Sequence, residues 1–193
     1  MGSNRLEAFS DGVIAILITI MVLELKVPEG AQFRSLVPVI PLFLNYALSF
    51  VYLGIYWNNH HHLLQACNRV TGAILWANLH LLFWLSLVPF ATRWMAESDY
   101  ARGPVALYGL VLLGAALSYT MLQLALIRDQ GRGSPLAAAV GHDRKGKISL
   151  LAYAIGIGMA FVLPWVSLLL YIGVAIVWFL PDPRIERRFR SGS

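Results

Sequence analysis

The sequence predicts an all-α integral membrane protein of six transmembrane helices, built as one domain over residues 1–193. Three observations carry this. The chain is 58% hydrophobic and only 13% charged. Whole windows of about 20 residues contain no ionisable group, the length that crosses about 30 Å of hydrocarbon. The basic residues stand at the ends of the apolar segments, whereas a soluble helical core would carry a charged stripe along each helix. The net charge of +5 is therefore a matter of topology, and a nucleic-acid surface is not expected. One cysteine, Cys67, excludes an intrachain disulfide.

The first span is expected over 5–25. It is too long for a signal-peptide core and runs into Glu24 and Lys26 without a small-residue cleavage site, so it should remain in the mature protein. Pro28 and Gly30 then break the chain. The second span is expected over 35–57, with Ser35 as its N-cap and Pro38 and Pro41 tolerated near its start. It leads into the polar run from Asn58 to His62 at the membrane surface. The third span, 70–91, contains Asn78 and His80 and ends near Pro89 and Arg93. Pro104 opens the fourth, 104–127, and residues 128–147 form the most polar stretch, expected as a loop.

Residues 148–180 are too long for one ordinary span, with Pro164 near the middle, so a hairpin giving spans 148–163 and 165–180 is expected. Charge supports it. Six spans put Arg5, Arg69, Arg128, Arg132, Arg144, Lys145, Lys147, Arg184, Arg187, Arg188 and Arg190 on one side, against Lys26, Arg34, Arg93 and Arg102. The positive-inside rule then makes both termini cytoplasmic, whereas five spans would export the basic tail. Trp57, Trp94, Tyr100, Trp165, Tyr171 and Trp178 fall near span ends as interfacial anchors. Gly114 with Ser118, and Ala154 with Gly158, place small residues four apart, the spacing that permits close helix packing.

Charge at the mouth of the first span is costly and marks a candidate ion or substrate pathway. At about 100° per residue from Asp11, Ile16 falls near 140°, Thr19 near 80°, Leu23 near 120° and Ile20 near 180°. These four share a face, with Ser10 and Asp11 turned away. Lipid contact or helix packing explains such a stripe, and so does a pore wall, where branched aliphatics constrict by dewetting and a Thr hydroxyl offers partial hydration. Ser10 or Asp11 could cap the helix. Arg5 to Ala8 is itself helix-compatible, however, so Asp11 is expected to meet a buried partner among Arg5, Trp57, His60, His61, His62 and Asn78. Three consecutive histidines point about 100° apart and cannot grip one metal. The ligand count argues against a catalytic metal site, and no cofactor is expected. No catalytic triad, phosphate loop or Thr-Val-Gly-Tyr-Gly filter is present.

Arg5-x3-Phe9-Ser10-Asp11 on the first span, Tyr56-Trp57-x2-His60-His61 at the end of the second, and Asn78-Leu79 followed by Pro89-Phe90 in the third resemble the prokaryotic branch of the lysosomal potassium channel family called transmembrane protein 175. The likeness touches the first half of the chain at these motifs and the rest through span count. It implies a non-enzymatic cation channel of the bacterial cytoplasmic membrane that passes K+ better than Na+ through a pore made by the first helices. One repeat per chain implies a homotetramer. The resemblance further implies Ile16 as the constriction, Thr19 as the selectivity position, Ile20 and Leu23 as flanking pore wall, and Arg5, Phe9, Ser10 and Asp11, with Trp57, His61 and Asn78, as supports of the pore helix. Ala15 stands where the family's eukaryotic channels have a polar residue, which implies a weak potassium preference. From the residues alone, a proton-coupled carrier using Asp11 and the His60–His62 cluster is the rival, although no second charged residue sits deep in a span. A non-conducting scaffold is a third reading.

Overall fold

The computed structural model describes residues 3–179 apart from Ala66, Asn68, Arg132 and His142. Arg132, His142 and the basic tail residues Arg184, Arg187, Arg188 and Arg190, like Leu180 at the end of the expected last span, lie outside the described residues. The elements run α1 (Ser3–Leu23), a 3-10 turn (Phe33–Val39), α2 (Ile40–Gln65), α3 (Gly72–Ser86), α4 (Val88–Glu97), α5 (Arg102–Gln130), α6 (Pro135–Val140), α7 (Arg144–Ala160) and α8 (Pro164–Phe179).

The helix starts follow local chemistry, and several differ from expectation. Ser35 caps nothing: it lies inside the 3-10 turn, whose N-cap position is Gln32 in an extended conformation. Pro38 and Pro41 offer no N–H to an α-helical ladder, and the chain enters α2 through the tighter turn. α2 then runs to Gln65, so the Asn58–His62 cluster rides on its last two turns. Thr71 caps α3 by accepting from the Ile74 N–H at 3.4 Å. The third apolar segment does not stop at Pro89. It breaks at Leu87 and resumes as α4 to Glu97, with Pro89 in the first turn of the new helix, where its missing N–H costs nothing. The polar stretch expected as a loop holds a short helix, α6, capped by Ser134 onto the Ala137 N–H at 3.2 Å. Asp143 caps α7 through the Gly146 N–H at 2.9 Å. α7 and α8 form the expected hairpin, turning at 161–163, with Pro164 opening α8.

Four segments are long and apolar enough to cross a bilayer: Ser3–Leu23, Phe33–Gln65, Gly72–Glu97 and Arg102–Gln130. α7 and α8, of 17 and 16 residues, each reach about 25 Å at 1.5 Å per residue. Large apolar side chains such as Phe83, Leu124, Leu151 and Leu169 face outward, as a lipid-facing surface requires. The chain is a multi-pass membrane protein.

α5 is the centre of the packing, meeting α3, α4, α7 and α8. Glycines make its closest approaches. A Cβ on Gly114 would lie 2.2 Å from the Trp84 ring of α3, and one on Gly109 would lie 2.0 Å from the Tyr171 hydroxyl of α8. Gly156 of α7 takes the other side of the Tyr171 ring. Tyr171 is thus fully buried mid-helix and is no interfacial anchor. Ala154 and Gly158, expected at a packed seam, face outward on α7. Trp57, Trp94 and Trp165 are exposed, and Tyr100 packs on Trp165 with ring centres 5.0 Å apart.

Ion pairs and hydrogen bonds show which helix ends lie together. At one end of the bundle Glu7 of α1 meets His61 of α2, and Arg69 reaches Asp129 of α5 at 2.9 Å. At the other end Arg93 of α4 pairs with Glu24 just past α1, and Lys26 with Glu97 at 2.8 Å. Cys67 sits buried beside the first of these ends, its thiol donating to the Arg69 carbonyl at 3.2 Å, and burial raises its pKa.

Candidate functional site

α1 lies at the edge of the bundle, packed mainly on α2, α3 and α4. Its sequence divides the helix into two faces. Leu6, Ser10, Ile14, Leu17 and Met21, spaced three and four apart, are buried against the rest of the chain. The opposite stripe is open: Ile16 is 57% exposed, Ile20 41% and Leu23 80%, whereas Ile14 is 0%. Thr19 is on the same open stripe, and its hydroxyl donates back to the Ala15 and Ile16 carbonyls at 3.1 and 3.0 Å. The donor is thereby occupied and the oxygen lone pairs are left outward.

The polar end of α1 is fastened by a directed chain of hydrogen bonds. His60 Nε2 donates to Asn78 Oδ1 at 2.6 Å, Asn78 Nδ2 donates to Ser10 Oγ at 2.9 Å, and the Ser10 hydroxyl donates to the Leu6 carbonyl at 2.8 Å. The direction follows from the termini, because the Leu6 carbonyl can only accept. Ser10, His60 and Asn78 are all 0% exposed, so one residue each from α1, α2 and α3 meets in a dry site. A second fastening is partly exposed. His61 Nδ1 donates to Glu7 Oε1 at 2.5 Å while Gln65 Nε2 donates to His61 Nε2 at 2.8 Å, which fits a neutral imidazole. The Trp57 ring stacks on His61 at 6.3 Å and 23°.

The expected supports therefore divide. Ser10 and Asn78 come together, and Trp57 and His61 join them at the same helix end. Phe9 points outward at 52% exposure, and Arg5 is exposed with no ion pair among the described residues. Asp11 does not gain the expected partner: its Oδ1 is buried with no hydrogen bond among the described residues, as is His60 Nδ1. Two side chains that meet the expected supports, Glu7 and His60, are not among them: Glu7 bonds His61, and His60, one of three consecutive histidines, bonds Asn78. Tyr56 and His60 stand four apart on the buried stripe Ser49, Leu53, Tyr56, His60, Leu63, the periodicity that singles out His60 from its neighbours.

His80 looks elsewhere. Its Nδ1 meets Ser118 Oγ at 2.9 Å and its Nε2 accepts from the Trp84 indole at 3.2 Å, joining α3 to α5. Among the described residues no group of three or more His, Cys, Asp or Glu side chains is placed to hold a metal.

The sequence profile of the endosomal/lysosomal potassium channel TMEM175 matches residues 5–89. A Chryseobacterium protein named as a potassium channel is 53% identical over 191 residues, covering 99% of this chain and 100% of that protein. The human endosomal/lysosomal proton channel TMEM175 is 32% identical over 116 residues, 54% of this chain and 23% of that longer protein. The crystal structure of a lysosomal potassium-selective channel TMEM175 homologue from Chamaesiphon minutus superposes with a TM-score of 0.76 at 27% identity, covering 99% of this chain and 98% of that one.

Proposed function

This chain belongs to the family of the endosomal/lysosomal potassium channel TMEM175, and from that premise we propose that it is a potassium-permeable channel whose pore is lined by the open face of α1. One observation carries the assignment of the pore helix. α1 is fastened by polar side chains at its buried face, yet presents Ile16, Thr19, Ile20 and Leu23 unpartnered at the edge of the bundle. Four chains arranged around a common axis bring four such stripes together.

In this reading Ile16 is the constriction and conducts only when the ring of four widens or wets. Thr19, one turn on, offers outward lone pairs to a partly dehydrated ion. Ile20 and Leu23 continue the wall. Ser10, Asn78, His60, Glu7, His61 and Trp57 set the rotation of α1, with Arg5, Phe9 and Asp11 at the same end. Six crossings of the bacterial cytoplasmic membrane, with both termini cytoplasmic, fit the charges. The outer side has Lys26, Arg34, Arg93 and Arg102 balanced by Glu24, Glu29, Glu97 and Asp99, and the opposite side keeps an excess of Arg and Lys.

The test is ion flux from liposomes holding the purified protein, under K+ and then Na+ gradients. K+ flux should exceed Na+ flux. Ile16→Asn should raise both about tenfold, the effect of lowering the barrier by about 1.4 kcal/mol. Thr19→Ala should reduce the K+ over Na+ preference and shift the reversal potential under mixed ions. Unchanged flux in a correctly assembled Ile16→Asn protein would remove Ile16 as the gate. A second reading, proton-coupled transport through Asp11 and the His60–His62 cluster, is favoured by two buried atoms with no hydrogen-bond partner among the described residues, Asp11 Oδ1 and His60 Nδ1. Saturable uptake driven by a pH gradient would select it.

A further inference from the structure

A crevice of about 40 Å³ lies among α2, α5, α7 and α8, with no contribution from α1. At about 10–15 Å³ per water this is room for about three waters, or for one small polar group of a few heavy atoms. Five aromatic rings line it: Tyr52 and Tyr56 from α2, Tyr119 from α5, Tyr153 from α7 and Trp178 from α8. The rings stand at steep angles to one another. Tyr56 and Tyr119 meet edge to face at 6.2 Å and 67°, and Tyr52 and Tyr153 are tilted by 52° at 6.4 Å.

Among the described residues the one charged side chain on this wall is Asp143, while the ammonium of Lys145, two residues along, donates to the Val177 carbonyl at 3.3 Å. Most of the donors are committed to protein acceptors. The Tyr52 hydroxyl donates to the Tyr171 carbonyl at 2.5 Å, Tyr153 to Tyr52 at 3.3 Å and Tyr119 to the Asn59 carbonyl at 3.3 Å. The Trp178 indole donates to Ser149 at 2.8 Å, and Ser149 in turn to the Lys145 carbonyl at 2.8 Å. An anion entering the crevice finds few hydrogen bonds to accept. A cation finds ring quadrupoles, hydroxyl lone pairs and one carboxylate. Asp143 is fixed at the rim because its Oδ1 caps α7.

Aromatic faces do not replace the tightly held water of a small metal ion. They suit a weakly hydrated cation that carries its own methyl or methylene groups. We propose that this crevice is a binding site for an alkylammonium group, supplied either by a soluble amine or by the ammonium headgroup of a membrane lipid. The site is separate from the open face of α1, and its occupancy is read without measuring ion flux. It stands or falls independently of the channel assignment.

The experiment titrates tetramethylammonium and choline into the full chain in a neutral maltoside detergent, read by saturation-transfer NMR and calorimetry. Both should bind saturably. The uncharged carbon isostere of choline, 3,3-dimethyl-1-butanol, should bind about tenfold more weakly. Asp143→Asn should weaken tetramethylammonium about tenfold while keeping the helix cap, because Asn caps as well as Asp. Tyr119→Leu should weaken it, and Tyr119→Phe, which keeps the ring, should not. Native mass spectrometry then compares phosphatidylethanolamine with phosphatidylglycerol. Retention of the former, lost in Asp143→Asn, makes the lipid headgroup the source, and no lipid preference with tetramethylammonium still bound makes it a soluble amine. The proposal is overturned if the isostere binds as well as choline, if Asp143→Asn changes nothing in a folded protein, if K+ competes as well as choline, or if neither ammonium binds.

Discussion

Asn78 bonds both Ser10 and His60, and so one side chain joins three helices. Interhelical hydrogen bonds in bilayers average about 0.6 kcal/mol with a ceiling near 1.7. Loss of both, with His60 left unpaired at each ring nitrogen, should cost about 1–3 kcal/mol. Asn78→Leu should therefore lower the melting temperature in detergent and change K+ flux, because the rotation of α1 is no longer set, whereas Arg5→Gln should leave stability nearly untouched. The sequence grouped Ser10 and Asn78 only through the family resemblance, and from the residues alone it expected Asn78 opposite Asp11, where the structure sets it against Ser10. The role of His60 over His61 was not legible. In a run of three histidines every 100° of helix face is supplied, and only the buried neighbours Tyr56 and Leu63 decide which one faces inward. Asp11 was expected to be paired for the same reason that Ser10 is, yet the helix turns its neighbour inward and leaves Asp11 partly buried.

At the scale of elements, the packing of α5 on α3 rests on Gly114, which the Trp84 ring covers. Any larger side chain displaces that ring or parts α5 from α3. Gly114→Leu should destabilise by about 3 kcal/mol, the upper end of ordinary overpacking, measured as a drop in melting temperature with loss of folded yield. Gly158→Leu, on the outward face of α7 with open space around it, is the matched control. Apolar length, with Pro104 opening one span and Pro164 splitting the last apolar run, made most helices legible. What escaped was decided by single residues. Pro89 was read as an end, but in the first turn of a new helix it bends the segment and lets it continue to Glu97. Residues 134–141 were expected as loop with the rest of the polar stretch 128–147, yet Ser134 and Pro135 supply a cap and a helix start.

For the whole molecule, the open stripe of α1 is the surface that a ring of subunits would bring together, and neighbouring copies of Leu23 should then approach each other. In a Cys67→Ala background, Leu23→Cys should form disulfide-linked dimers under mild oxidation, whereas Phe83→Cys, outward on α3, should not. Monomeric behaviour of both would count against the ring. The all-helical, multi-pass class was legible because hydropathy and charge report on the membrane. The ring was not, because a pore wall and a lipid face share one apolar composition. The fastening of α1 also has a mechanical side. Ser10 holds it near one end and the Glu24–Arg93 pair holds the other, about 20 Å apart at 1.5 Å per residue. A rod in two such bearings tilts at high cost, and it turns only when the Ser10–Asn78 bond lets go. A turn of about 60° would then bring Thr19 to the line that Ile16 occupies, exchanging an alkyl ring for a ring of hydroxyls, so one buried hydrogen bond per subunit acts as the catch on that exchange.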